Sequence, residues 1–203
     1  MRSYLGTLIT AIAMATGCAS DPLPEPSRAV QVRPECPART DSAFYFPSEA
    51  TDGQAVEYPS QFLGEINAPS LSCGTGVDEG YRITRLAPGR PSDVIEVVHS
   101  HDGWTLRGFE FASAVYHQRA AITKEVRKSL TDTQASEVGK LFAETGFWRT
   151  QPLPPNVKDI SYEGPWVTLE ARRRSSYHVV FPLAQSFSTV TARLFDMAGL
   201  DIR

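Results

Sequence analysis

The sequence predicts an α+β fold: an antiparallel sheet of about five or six strands built from hairpins, packed by two amphipathic helices plus a short N-terminal helix. Three observations carry this. Two stretches, "DVIEVVHSHDGWTLRGFEF" and "PWVTLEARRRSSYHVVFPL", each place two β-rich runs around a short polar turn. Only "LTDTQASEVGKLFAETGFW" and "FSTVTARLFDMAGL" repeat their apolar residues at clear helical spacing. The 203-residue chain is 41% hydrophobic, the composition of a globular protein with one sizeable core.

Taken in order, "YPSQFLGEINAPSL" predicts a short helix over Ser60 to Ile66, stopped before Pro69. "GYRITRLAP" alternates as a strand and ends at Pro88-Gly89. The first hairpin turns on Asp102-Gly103, a favoured two-residue turn, which sets His101 opposite Trp104 and His99 opposite Leu106. A further strand is expected within Arg119 to Leu130. In the best helix, Thr131 and Gln134 form a capping box that satisfies backbone N–H groups left orphaned at its start. Ala135, Val138, Leu141 and Phe142 share its buried face, and Gly146 supplies the left-handed residue that ends it. In the closing helix Phe187, Val190, Leu194 and Met197 point inward and Gly199 is the stop. The chain holds no internal repeat.

The N-terminus reads as an export signal. Arg2 precedes an apolar run from Leu5 to Thr16, far short of the ~20 residues of a spanning helix. Ala15-Thr16-Gly17-Cys18 resembles a bacterial lipobox, with Ala15 where leucine is usual, and the resemblance implies lipidation of Cys18. Ordinary signal-peptidase cleavage, for instance after Ala19, is the competing reading. The expected divisions are a lipoprotein signal peptide at 1–17, the lipidated cysteine with a proline-rich tether at 18–35, and a single α+β domain at 36–203. At up to ~3.1 Å per residue the tether would hold the domain about 45 Å from the membrane. Cys18 is followed by Ala19, not by the aspartate of the enterobacterial inner-membrane retention rule. The expected location is therefore the outer membrane, facing the periplasm.

With Cys18 as the anchor, Cys36 and Cys73 remain as an even pair, expected as a disulfide that fastens the "AFYFP" arm, Phe44–Phe46, to the domain. In the chain-entropy model a loop of this length is worth roughly 4 kcal/mol. Neither cysteine has a histidine or second cysteine at metal-binding spacing. Formal net charge is −3, and about −4 once Arg2 goes with the leader, so a nucleic-acid partner is not expected.

From Tyr58 to Leu200 the order of motifs resembles a family of uncharacterised bacterial secreted and lipid-anchored proteins, a domain of unknown function. The residues that carry the resemblance are Gly146-Phe147-Trp148, Asp159, Trp166, Glu170 and Tyr177-His178. Ile160 stands where that pattern has glycine, and Tyr162-Glu163-Gly164-Pro165 is inserted before Trp166. The resemblance implies fold boundaries and no activity.

Candidate chemistry is sparse. "HSHDG" at His99 to Gly103 has the outline of a metallo-hydrolase motif, but the aspartate is one place early and the last histidine is missing. A hairpin tip explains it better. Glu170 and His178 suggest an acid–base pair. A two- or four-residue turn would pair Arg172 with Tyr177 and Ala171 with His178, which sends Glu170 and His178 to opposite faces. His117 stands alone, and neither G-x-S-x-G nor S-x-x-K occurs. Arg172-Arg173-Arg174 reads as a solvated turn before it reads as an anion site. Trp148 and Trp166 read as core. The expectation is no catalytic, cofactor or metal residue. The chain is read as an envelope lipoprotein that meets the membrane through its anchor and binds another envelope protein or a cell-wall component. The alternative is a periplasmic hydrolase with an unrecognised site.

Overall fold

A computed structural model describes residues 29–51, 56–74, 76–87, 89–112, 121–152, 165–181 and 187–202. Cys18, His117 and Asp159 lie outside the described residues. The fold is α+β, as expected, on a seven-stranded sheet in which every pairing is antiparallel. The strands are β1 Val30–Gln31, β2 Glu79–Leu86, β3 Ser92–Ser100, β4 Gly103–Phe111, β5 Ile122–Ser129, β6 Trp166–Arg173 and β7 Ser176–Val180. They lie in the order β1-β7-β6-β2-β3-β4-β5: a four-stranded meander with one hairpin added beside its first strand. The strand beyond the expected count is β1. It lies inside the stretch read as tether and pairs Val30 with Tyr177 and Gln31 with Ser176.

Period-two alternation divides the strand residues between two faces, each with its own core. One face is covered by α3, Asp132–Glu144, and α4, Ser188–Ala198. There Ile83, Ile95, Val97, Leu106 and Leu169 pack on Val138, Phe142, Leu194 and Phe195. The capping box of Thr131 and Gln134 is formed, and Gly146 and Gly199 take left-handed conformations. Met197 is only half-buried, and Phe195, missed in the periodicity, is fully buried.

The other face is covered by a cap, the chain between β1 and β2. It contains a 3-10 turn at Ser42–Phe44, α1 Ser48–Thr51 and α2 Glu57–Glu65. Phe44, Tyr45, Phe46, Phe62, Leu63 and Leu71 pack there on Val94, Phe109, Phe111 and Phe181. The expected helix therefore begins three residues early, with Glu57 opening its first turn.

One register differs from expectation. Ser100 pairs with Gly103 and His99 with Trp104, so the tip is His101-Asp102. Of these residues only Gly103 has positive φ, +96°. A mirror-image two-residue turn on Asp102-Gly103 needs φ > 0 at both positions. A single left-handed glycine after an ordinary turn instead moves the tip back by one residue.

Candidate functional site

The densest chemistry in the fold is a row of charges across the cap-side face. Register makes it: Glu170 on β6 sits opposite Arg82 on β2, Arg82 opposite Glu96 on β3, and Glu96 opposite Arg107 on β4. Directly paired residues share a face, so acid and base alternate through four adjacent strands. Arg82 Nε stands 3.1 Å from Glu96 Oε2, and Nη1 stands 3.2 Å from Glu170 Oε2, with all three side chains fully buried. Arg107 Nε donates to Glu96 Oε1 at 2.6 Å, with its guanidinium partly exposed.

The row also reaches into the cap. Tyr177 donates its hydroxyl to Glu170 Oε1 at 3.1 Å and lies 3.3 Å from the Tyr45 carbonyl. Arg82 Nη2 donates to the Pro69 carbonyl. Beside it Arg172, read above as part of a solvated turn, is buried and donates to the Gly74 carbonyl at 3.1 Å. The reason is the covering layer: loop backbone cannot pair its own carbonyls, and a buried carbonyl without a donor is costly. The sheet supplies those donors from below. Burial pushes the Tyr177 hydroxyl well above its ordinary value, an effect Glu170 reinforces. The Arg82 guanidinium is held charged by Glu170 and Glu96 against the cost of desolvation.

His178 pairs with Ala171 and Arg172 with Tyr177, the register expected from a two-residue turn. Glu170 and His178 therefore face opposite sides of the sheet. His178 is buried under Phe147 and Trp148, and its Nε2 lies 2.9 Å from the Thr150 carbonyl. A carbonyl only accepts, so Nε2 carries the proton. This again serves a loop, the segment that follows the 3-10 turn Phe147–Arg149. Trp148 is core, as expected, and the Arg173 guanidinium lies over it, 5.4 Å from the ring centroid. Trp166 is half-buried against the cap-side core. The His99 ring packs at a tilt on Trp104, 4.9 Å between centroids, and lies 3.6 Å from Asp78, while His101 is exposed beside Asp102. Among the described residues no group of three or more His, Cys, Asp or Glu side chains is placed to hold a metal ion.

Cys36 and Cys73 stand at disulfide-bonding distance, with Cα atoms 5.4 Å apart. The loop they would close contains the 3-10 turn, α1 and α2, so it encloses almost the entire cap. Gly74 lies against the pair, where an added Cβ would come 3.0 Å from the Cys36 sulfur. No helix among the described residues is long and apolar enough to cross a membrane.

Five of the motif residues that carry the family resemblance fall in these two sets of contacts. Phe147, Trp148 and His178 form the cluster on the helix side, and Glu170 and Tyr177 belong to the charged row. No family model matches this chain, and no curated protein matches it.

Sequence reading missed Arg82, Glu96 and Arg107. Their signal was present as charged residues in phase within otherwise buried strands. It becomes legible only when the register places acid against base across four strands.

Proposed function

We propose that this chain is a lipid-anchored envelope protein of the outer membrane, facing the periplasm, that acts through contacts with another envelope protein or a cell-wall component. The leader ending on Cys18 supports the anchor, and the Cys36–Cys73 pair at bonding distance fits an oxidising compartment. The observation that carries a binding role is the commitment of the interior polar groups. Glu170 is held by Arg82 and Tyr177, and His178 by the Thr150 carbonyl, on opposite faces of the sheet. Both serve as internal fastenings in this reading.

Palmitate labelling of the wild type and of Cys18→Ser tests the anchor. Label on the wild type alone is expected, and equal label on both overturns it. The binding role is tested by replacing His99, His101 and His178 together with glutamine. A cellular phenotype that survives in a variant with a normal melting transition is expected. Its loss in such a variant would favour the periplasmic hydrolase.

A further inference from the structure

The cap carries a feature that its fastening to the sheet does not explain. Between the segment that leads into the 3-10 turn and the outer side of α2 lies a cleft of about 700 Å³, lined by Arg39, Asp41, Glu57, Gln61, Gly64 and Glu65 among others. That volume falls within the range of small-ligand sites.

Two of the charges on its walls, Arg39 and Asp41, have contacts of their own. Arg39 lies 5.3 Å from the Phe44 ring centroid and donates to Asn67 Oδ1 at 3.1 Å, two contacts that direct its exposed side chain along the cleft wall. Among the described residues neither Arg39 nor Asp41 nor Glu57 is in an ion pair. Asp41 uses one carboxylate oxygen to cap the Ala43 N–H, at 2.8 Å. A cation with carboxylates on both walls complements a ligand that carries both signs of charge. Acidic groups outnumber Arg39, which favours a ligand with amine in excess. Gly64 faces open space: a Cβ there would meet nothing within 4 Å.

We propose that this cleft binds a short peptide with free ammonium and carboxylate groups, the carboxylate on Arg39 and the ammonium on Asp41 and Glu57. The inference narrows the binding reading above to one place and one ligand chemistry. It stands or falls apart from the anchor, which palmitate labelling reads independently.

The test is calorimetric titration of the dipeptide alanyl-lysine into the full chain in detergent micelles, with N-acetyl-alanyl-lysine amide as a control lacking both terminal charges. Saturable binding of the free dipeptide is expected, weakened by about tenfold or more in the blocked control. Gly64→Leu should fill the cleft and weaken binding by a similar factor while the melting transition holds. Should that variant fold poorly, Glu57→Gln, an exposed change, supplies the second reading and should weaken binding severalfold. No saturable binding to the wild type, or equal binding by the blocked dipeptide, overturns the proposal. So does binding that both variants leave unchanged.

Discussion

Over its central strands one sheet is buried on both faces, and the two faces are built from different chemistry. Toward α3 and α4 the strands present mainly Ile, Val and Leu, with one buried ion pair, Arg85 and Asp93, beneath Phe195. Toward the cap they present Glu170, Arg82, Glu96, Arg107 and Tyr177 among their apolar residues. The difference follows from what covers each face. A helix satisfies its own backbone, so the surface beneath it owes its cover few donors, and the buried Arg85 there pairs within the sheet, with Asp93. The cap is largely loop, and its carbonyls at Pro69 and Gly74 take donors from Arg82 and Arg172, while Tyr177 gives its one proton to Glu170 beside the Tyr45 carbonyl. Those donors are charged, and Arg82 in turn requires Glu96 and Glu170 beside it. His178 follows the same rule on the helix side, where its partner is the loop carbonyl of Thr150.

The largest break in this comparison is at Arg82. Arg82→Met leaves Glu96 and Glu170 buried without their shared cation, and a single broken buried pair already costs about 3–5 kcal/mol. We expect a loss of about 5 kcal/mol in urea unfolding, more than Leu169→Ala on the other face of the neighbouring strand. Equal or smaller loss would show that the charged row is a passive filling. Next is the staple. Replacing Cys36 and Cys73 together by serine should lower stability by about 4 kcal/mol, since the loop they close is long. The loss should appear first as proteolysis within the cap, with cleavage near α1 and α2 preceding any in α3 or α4. Simultaneous cleavage of both layers would mean that the cap has no separate opening.

Alkaline pH probes both faces at once, through Tyr81 beneath the helices and Tyr177 beneath the cap. Burial raises both hydroxyls above the ordinary 10.0, with Glu79 adding to the effect at Tyr81 and Glu170 at Tyr177. The folded chain therefore keeps protons that the unfolded chain loses above pH 10, so stability falls as pH rises past that value. Each tyrosine contributes about 1.4 kcal/mol per pH unit in that window. Tyrosinate absorbance should rise together with unfolding, and Tyr81→Phe or Tyr177→Phe should flatten the slope. Gradual titration in a chain that stays folded would contradict this burial.

Much of the fold was legible in the sequence because it rests on local rules. The capping box at Thr131, the helix stops at Gly146 and Gly199, and the register of Arg172 with Tyr177 all follow from neighbouring residues. What escaped depends on distant ones. β1 is two residues long and exists because β7 offers it an edge. The turn at His101-Asp102 differs from expectation by one residue because the backbone angles, not the residue pair, select the tip. The charged row joins four strands, and the cleft at Arg39 joins two segments of the cap. No window on the chain contains either.

The smallest test uses one glycine from each layer. Gly64 lies in α2 of the cap and Gly139 in α3 on the opposite face, and alanine is favoured over glycine in a helix interior by about 1 kcal/mol. Their surroundings reverse the outcome. An added Cβ at Gly64 meets nothing within 4 Å, so Gly64→Ala should raise stability by about 0.5–1 kcal/mol. At Gly139 the same atom would lie 2.6 Å from the Tyr81 hydroxyl oxygen and 3.3 Å from the ring carbon that bears it. Tyr81 is buried and donates to Glu79, so it has little room to retreat. Overpacking of this kind costs about 1–3 kcal/mol and outweighs the helix gain, giving a net loss of about 1 kcal/mol for Gly139→Ala. Thermal melts of the two variants should therefore move in opposite directions. Parallel shifts would mean that α3 can slide outward from the sheet, and that the helix-covered face is the looser of the two.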